Sequence, residues 1–188
     1  MNRDLILEAS AQIIRKKGFH AASMQDIATA VNLQKSSLYH HFSSKQEILL
    51  ELLDRALDLL IEQVSAVLAE DCPADEKLRQ AMRVYLGILA EQADLASVLL
   101  LEHRSLDPEN HKRHFPRRDR FERLWRDLIQ EGVKSGLFHD PDPSMTARAI
   151  LGVMNWTITW FRPDGQLSID QISDHFSTLF LEGLRKGR

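Results

Sequence analysis

The chain has 188 residues, 44% of them hydrophobic and 27% charged, with a formal net charge of −3. That balance excludes a uniformly basic polyanion binder and a disordered acidic chain. A single cysteine, Cys72, excludes an intrachain disulfide and a four-thiolate metal site and fits a reducing compartment. No uncharged apolar run approaches the ~18 residues of a membrane span, and the first twenty residues lack the basic-then-apolar layout of a secretory signal. The expected setting is cytoplasmic, with no membrane partner.

Apolar residues recur at helical spacing almost throughout, and no segment sustains period-two alternation. Leu5, Ala9, Ile13 and Ile14 make the first stripe, which Gly18 ends where a left-handed residue is wanted. Ser23 offers an N-cap with Asp26 three residues on, which predicts a short helix over 24–31 closed by Asn32. A second short helix is predicted from about Lys35 to His41. Ser44 caps a long one, with Glu47 reaching back, and Ile48, Leu52, Ala56, Leu60, Val64 and Val67 carry it to the breaker Asp71-Cys72-Pro73. Asp75 opens the next, with Leu78, Met82, Tyr85, Leu86 and Leu89 on one face. Asp94 is the expected cap of an apolar helix over 95–104, and 105–110, holding Pro108, reads as a loop. The stretch 111–136 is predicted to be helical at least from Asp119, and Pro116 makes the part before it a separate turn or a kinked start. Asp140-Pro141-Asp142-Pro143 breaks the chain again. Two last helices, 144–161 and 168–185, flank the turn Arg162-Pro163-Asp164-Gly165. About nine helices place the chain in the all-α class.

Both last helices are apolar on more than one face and need cover on two sides. Val153, Trp160, Phe176, Leu179 and Phe180 are the candidate contacts of a two-fold, four-helix homodimer interface, with a deeply buried monomer core as the competing reading.

The stretch from Gly18 to Leu49 carries the function. Two short helices joined by Asn32-Leu33-Gln34 have the size of a helix-turn-helix, and Ile27, Ala28, Val31, Leu33, Leu38 and Phe42 supply its small core. The second helix offers Lys35, Ser36, Ser37, Tyr39, His40 and His41, side chains that reach phosphates and base edges. Lys45 lies in the first turn of the following helix, where an ammonium and amide groups can hold a phosphate together. The first fifty residues carry six Lys/Arg against four acids, a slightly basic head on an acidic remainder.

The run Ser23-Met24-Gln25-Asp26-Ile27-Ala28, then Val31-Asn32-Leu33-Gln34-Lys35-Ser36-Ser37-Leu38-Tyr39-His40-His41-Phe42-Ser43-Ser44-Lys45, resembles the DNA-binding domain of TetR-family transcriptional regulators. The likeness covers about fifty residues. Asn32 stands where that family favours Gly, and Gln34 where it favours Ser or Thr, so Ser36 is an alternative cap. The resemblance implies an N-terminal three-helix DNA-binding domain over 1–48 and a C-terminal helical bundle over 49–188 for ligand binding and dimerisation. It further implies that Ser23 and Gln25 approach the backbone or groove edge. Lys35, Ser36 and Ser37 face the major groove, Tyr39 and His40 contact phosphates or bases with His41 beside them, and Lys45 binds a phosphate. For Tyr39 the competing reading is packing on the long helix, and for His41 a half-buried structural histidine.

In the C-terminal part, Arg104-Ser105-Leu106, the glycines at 132 and 136, Gly152 with Asn155-Trp156, and Pro163-Asp164-Gly165 resemble a subgroup of these regulators that respond to acyl-CoA thioesters. From 111 to 126 seven Lys/Arg stand against Asp119 and Glu122. Arg117, Arg118, Arg120 and Arg123 are candidates for CoA phosphates, since guanidinium forks suit such groups, and the resemblance adds Arg104 as a ligand-binding candidate. Leu99, Leu128, Ile150 and Met154 are candidates for the acyl chain, and Trp156 is a further ligand-binding candidate, with core or interface as the competing reading of Trp125, Trp156 and Trp160. A solvated basic helix face is the other reading of the same stretch.

No nucleophile elbow, phosphate-binding glycine loop or Glu-x-x-His pair is present, and His111 and His114 have no evident third metal ligand. The expected protein is therefore not an enzyme and carries no cofactor or metal. Its expected partners are a double-stranded operator, a second copy of itself and a small-molecule effector. A constitutive DNA-binding dimer and a helical-bundle enzyme are the alternatives.

Overall fold

The computed structural model describes residues 3–139 and 141–185, which form nine α-helices and one 3-10 turn; Asp140 of the expected breaker lies outside them. The helices are α1 (Arg3–Lys17), α2 (Met24–Ala30), α3 (Lys35–Tyr39), α4 (Lys45–Leu68), α5 (Ala74–Glu91), α6 (Ala93–Glu102), α7 (Pro108–Lys134), α8 (Pro143–Trp160) and α9 (Ile169–Leu184), with the 3-10 turn at His103–Ser105.

Most ends fall where local chemistry puts them. Ser23 and Asp26 form a reciprocal capping box on α2, and Ser168 with Gln171 forms another on α9. Gly18, Asn32 and Gly136 take positive φ (79°, 54° and 78°) and close α1, α2 and the end of α7. Three ends differ from expectation. α6 begins at Ala93, and Asp94 sits inside its first turn, paired with Arg15 instead of capping. α7 begins at Pro108 and runs unbroken through Pro116. Pro108 occupies a first turn where its missing N–H costs nothing, and Asp107 accepts from the Asn110 amide to start the helix just ahead of the stretch 111–136 and without the break expected at Pro116. Before α4, Ser44 Oγ accepts from the Glu47 amide as expected, but the Glu47 carboxylate takes Ser43 N–H and Oγ–H instead of reaching back to Ser44.

The helices sort into two compact units. The first is 1–58 with 92–118, the second 59–91 with 119–188. The division expected after residue 48 follows chain order, whereas tertiary contact adds α6 and the first turns of α7 to the N-terminal helices. In the first unit α6 packs on α1, and Ile6, Ile14, Ile27, Leu38, Phe42, Ile48, Leu49 and Val98 are fully buried. In the second, α5 lies between α8 and α9 around Leu78, Met82, Tyr85, Leu86, Trp125, Ile129, Ile150 and Met154. Phe138 folds back over Gly132, whose missing Cβ leaves the space for the ring: an added methyl would sit 2.1 Å from it. His139 N–H then donates to the Leu184 carbonyl, and Phe138 bridges to Arg185. Among the described residues no single helix is long and apolar enough to cross a membrane.

Candidate nucleic-acid interface

α2 and α3 are too short to be stable alone, since helices need roughly 12–15 residues to hold in water without tertiary support. Their support is tertiary: α2 packs on α3, and Leu38 of α3, Ile27 and Ala28 of α2 and Phe42 beyond α3 are all fully buried. The Leu33 amide closes the turn on the Ala28 carbonyl at 2.8 Å. Gln34 stands at the N-cap of α3 without a side-chain bond, so the helix start is uncapped and Ser36 lies inside the first turn. With Leu38 inward, the other face of α3 turns out: Lys35, Ser36 and His40 are exposed, Tyr39 is 47% exposed, and Ser37 is half-buried. Ser23 and Gln25 are exposed at the start of α2. The structure thus brings these seven residues onto the outside of one small unit. Tyr39 does not pack into the core, and His41 is half-buried.

Lys45 has a different environment from the one its position suggested. Its ammonium donates to the carbonyls of Phe19 (2.7 Å), Ala22 (2.6 Å) and His20 (3.3 Å) and lies 4.4 Å from the centre of the Phe19 ring. An ammonium has three donors, and all three are engaged within the chain, tying the α1–α2 loop to the start of α4. Spacing placed Lys45 beside helix amides but carried no information about the loop carbonyls.

Two further residues position the interface and escaped the sequence reading. Arg3 lies over the Phe42 ring at 3.9 Å, pairs with Glu47 and Glu51, and donates to the His41 carbonyl just after α3. The side-chain bond to Glu51 raises its pKa further above an already high value. Gln46 Nε2 donates to the Ser105 carbonyl at 2.8 Å, and its Oε1 accepts from the Asp107 amide at 3.1 Å, gripping the α6–α7 connection. Each contact spans more than 35 residues of sequence, so local pattern could not reveal it. Asp26 is held at a pKa of about 2 by the Lys17 ammonium first and the Ser23 hydroxyl and amide next. Ser43 hydrogen bonds, followed by Arg3, keep the Glu47 carboxyl below its usual range.

The candidate effector residues divide between the units. In the first, Arg117 pairs with Asp54 (3.0 Å) and Asp58 (3.1 Å), and the buried His114 donates from Nδ1 to Asp54 at 2.9 Å. Arg117 is thus neutralised within the chain. Arg104 and Arg118 are exposed and make no ion pair among the described residues, and Leu99 is buried. In the second unit Arg120 and Arg123 are exposed without ion pairs among the described residues, while Leu128 and Met154 are buried. Trp156 departs from its expected place: it is 66% exposed. At i, i+3 and i+7, Val153, Trp156 and Trp160 share the outer face of α8, opposite the buried Ala147, Ile150, Met154 and Thr157. Leu179 is exposed on α9, with Phe176 and Phe180 half-buried near it. No group of three or more His, Cys, Asp or Glu among the described residues is placed to hold a metal.

A supporting helix, a left-handed Asn turn and an exposed polar recognition helix over one buried leucine define a helix-turn-helix regulator. The chain belongs to the TetR family: residues 6–52 match the family "Bacterial regulatory proteins, tetR family", and residues 71–184 match the "Tetracyclin repressor-like, C-terminal domain". Among curated relatives, the HTH-type transcriptional repressor KstR2 of Mycolicibacterium smegmatis is 28% identical over 99% of this chain and 92% of its own. Among solved structures, the TetR-family regulator PfmR of Thermus thermophilus is 36% identical with a TM-score of 0.88, covering 96% of this chain and 99% of its own. AibR in complex with isovaleryl coenzyme A and operator DNA is 30% identical, also with a TM-score of 0.88, covering 94% and 96%. The chain is therefore a DNA-binding transcriptional regulator, and its relatives are regulators, not enzymes.

Proposed function

We propose that the chain is a repressor that binds a palindromic operator as a homodimer in the cytoplasm and is released by an acyl-CoA. The observation that carries the operator reading is the polar outer face of α3. Lys35, Ser36 and Ser37 read the major groove, Tyr39 and His40 take phosphates or bases with His41 beside them, and Ser23 and Gln25 approach the backbone. In this reading Lys45 acts indirectly, by fixing the loop that sets α2 and α3 against α4, in place of the phosphate contact expected from sequence.

The homodimer reading rests on the apolar outer face of α8 and α9. Val153, Trp160, Phe176, Leu179 and Phe180, now joined by Trp156, would lie in a two-fold four-helix interface. The two recognition helices of such a dimer must match half-sites about one helical turn apart. An effector that binds better when that separation is wrong lowers operator affinity by its differential affinity for the two states.

The acyl-CoA reading is supported by the likeness to AibR and by Arg120 and Arg123 of α7 in the second unit, which are exposed and make no ion pair among the described residues. Arg117, neutralised by Asp54 and Asp58, leaves the phosphate set. Leu128 and Met154 are the apolar residues of the second unit offered to the acyl chain. The test is fluorescence anisotropy on an operator selected from random duplexes, with isovaleryl-CoA, longer acyl-CoAs, the matching free acids and CoA alone. Release by a thioester, and much weaker release by its free acid, is expected. An equal response to acid and thioester, or none to any thioester, overturns the effector reading. In the same assay Lys35→Ala is expected to change the ranking of operator variants, and an unchanged ranking removes Lys35 from base recognition.

A further inference from the structure

The interior of the second unit holds a polar spot that its own chain leaves unanswered. Trp125 of α7 is fully buried, and its indole Nε1–H has no hydrogen-bond partner among the described residues. Its ring meets Tyr85 of α5 edge-on, 5.9 Å between centroids at 87°, and Phe121 at 6.3 Å. Tyr85, also buried, donates its hydroxyl to Oδ1 of Asn155 on α8. That bond uses the acceptor end of the amide and turns its NH2 end away. Asn155 is half-buried, and its amide N–H groups meet no protein acceptor among the described residues but keep contact with solvent, so only the Trp125 donor is fully sealed. One tyrosine thus joins two side chains whose unanswered atoms are all donors.

A buried N–H without an acceptor loses its hydration and regains nothing, so such groups in native proteins call for a partner. The partner here must be an acceptor oxygen. Its charge can also be read. No lysine or arginine among the described residues is fully buried, so a carboxylate taken into this interior would lack a cation. Burial likewise pushes the Tyr85 hydroxyl pKa up, so that group stays a neutral donor. A neutral carbonyl flanked by hydrocarbon fits, and the same helices supply the buried apolar Leu128, Ile150 and Met154.

We propose that Trp125 Nε1–H and the Asn155 amide are the donors for the neutral carbonyl oxygen of the effector's acyl thioester, with Tyr85 as the positioning residue that orients Asn155. This inference rests on the acyl-CoA reading above and assigns the step that tells a thioester from other carriers of the same chain.

The test is calorimetry on the full chain with isovaleryl-CoA and octanoyl-CoA against S-isopentyl-CoA and S-octyl-CoA, thioethers that keep nucleotide and chain but lack the carbonyl oxygen. Wild type is expected to bind the thioester about tenfold tighter than the thioether, the worth of one buried hydrogen bond. Trp125→Phe, and Asn155→Asp, which keeps the acceptor for Tyr85 but removes the donors, are expected to erase most of that preference. A role in packing alone would weaken both ligands together and leave the ratio unchanged. Equal wild-type affinities overturn the donor site and leave the acyl-CoA reading standing. Binding of neither kind overturns both. A preference that persists in both variants overturns the assignment to these residues.

Discussion

The two units are held together by different chemistry. In the first, α2 and α3 are seven and five residues long and bury few large side chains. Their geometry depends on long-range polar grips: Arg3 on Glu47, Glu51 and the His41 carbonyl, Lys45 on three loop carbonyls, and Gln46 on the α6–α7 connection. In the second, helices of sixteen residues or more meet through apolar faces and an aromatic group of Tyr85, Phe121 and Trp125. The ion pair of Arg83 with Asp174 there is exposed on both sides and worth little. A small domain that must present polar side chains outward cannot also bury them, so it recruits charged groups whose partners are backbone carbonyls. The larger unit has apolar surface to spare, and leaves some of it uncovered at Val153, Trp156, Trp160 and Leu179.

The sharpest way to break this contrast is at that uncovered surface. Leu179→Glu puts a charge in the proposed two-fold interface, and sedimentation is expected to show monomer with operator affinity down by about a hundredfold or more, since two linked heads bind far better than one. A wild-type protein that sediments as monomer at micromolar concentration would remove the interface altogether. Next comes Gly132, whose missing Cβ makes room for the Phe138 ring. Gly132→Ala drives a methyl into the Phe138 ring and is expected to cost ~1–3 kcal/mol by chemical denaturation, as other overpacked cores do. An unchanged midpoint would mean that Phe138 swings away without penalty.

The grips of the first unit give smaller effects with a more specific signature. Lys45→Met keeps the chain over Phe19 but removes the ammonium, and is expected to lower stability by ~1–2 kcal/mol. Operator affinity then falls through misplacement of α2 and α3, while the slope of affinity against salt stays the same. A phosphate ligand would lower that slope by about one contact. A flattened slope returns Lys45 to the DNA. The smallest effect is acid dependence. With its folded pKa held at about 2, below the ordinary 3.8, Asp26 contributes stability above the unfolded value that is lost as pH falls from about 4 towards 2. Asp26→Asn is expected to flatten that part of the stability curve. An identical curve for the variant would assign the acid loss to other carboxyls, Glu47 first.

Much of the fold is written locally. Nine helices, the caps at Ser23 and Ser168, the left-handed stops at Gly18 and Asn32, and the helix-turn-helix with Leu38 inward all follow from spacing and from side chains that meet their partners within four residues. Pro116 misled because a proline at a distance from its helix start breaks isolated helices, whereas here Asp107 and Pro108 begin α7 early and the helix continues on both sides. Helical spacing at 153, 156 and 160 put Trp156 on the face of Trp160, yet only burial of Ile150 and Met154 shows that this face is the outer one.

The class of protein was legible in the sequence, because the proposed DNA-binding face comes from two short helices that are neighbours along the chain, α2 and α3, and from the residues that flank them. Tertiary structure alone decided which charges remain available. Whether Lys45 meets a carbonyl or Arg117 an aspartate depends on groups at least 23 and 59 residues away respectively. Hydrogen bonds and ion pairs act over about 3 Å of space, and the chain brings such partners together only by folding.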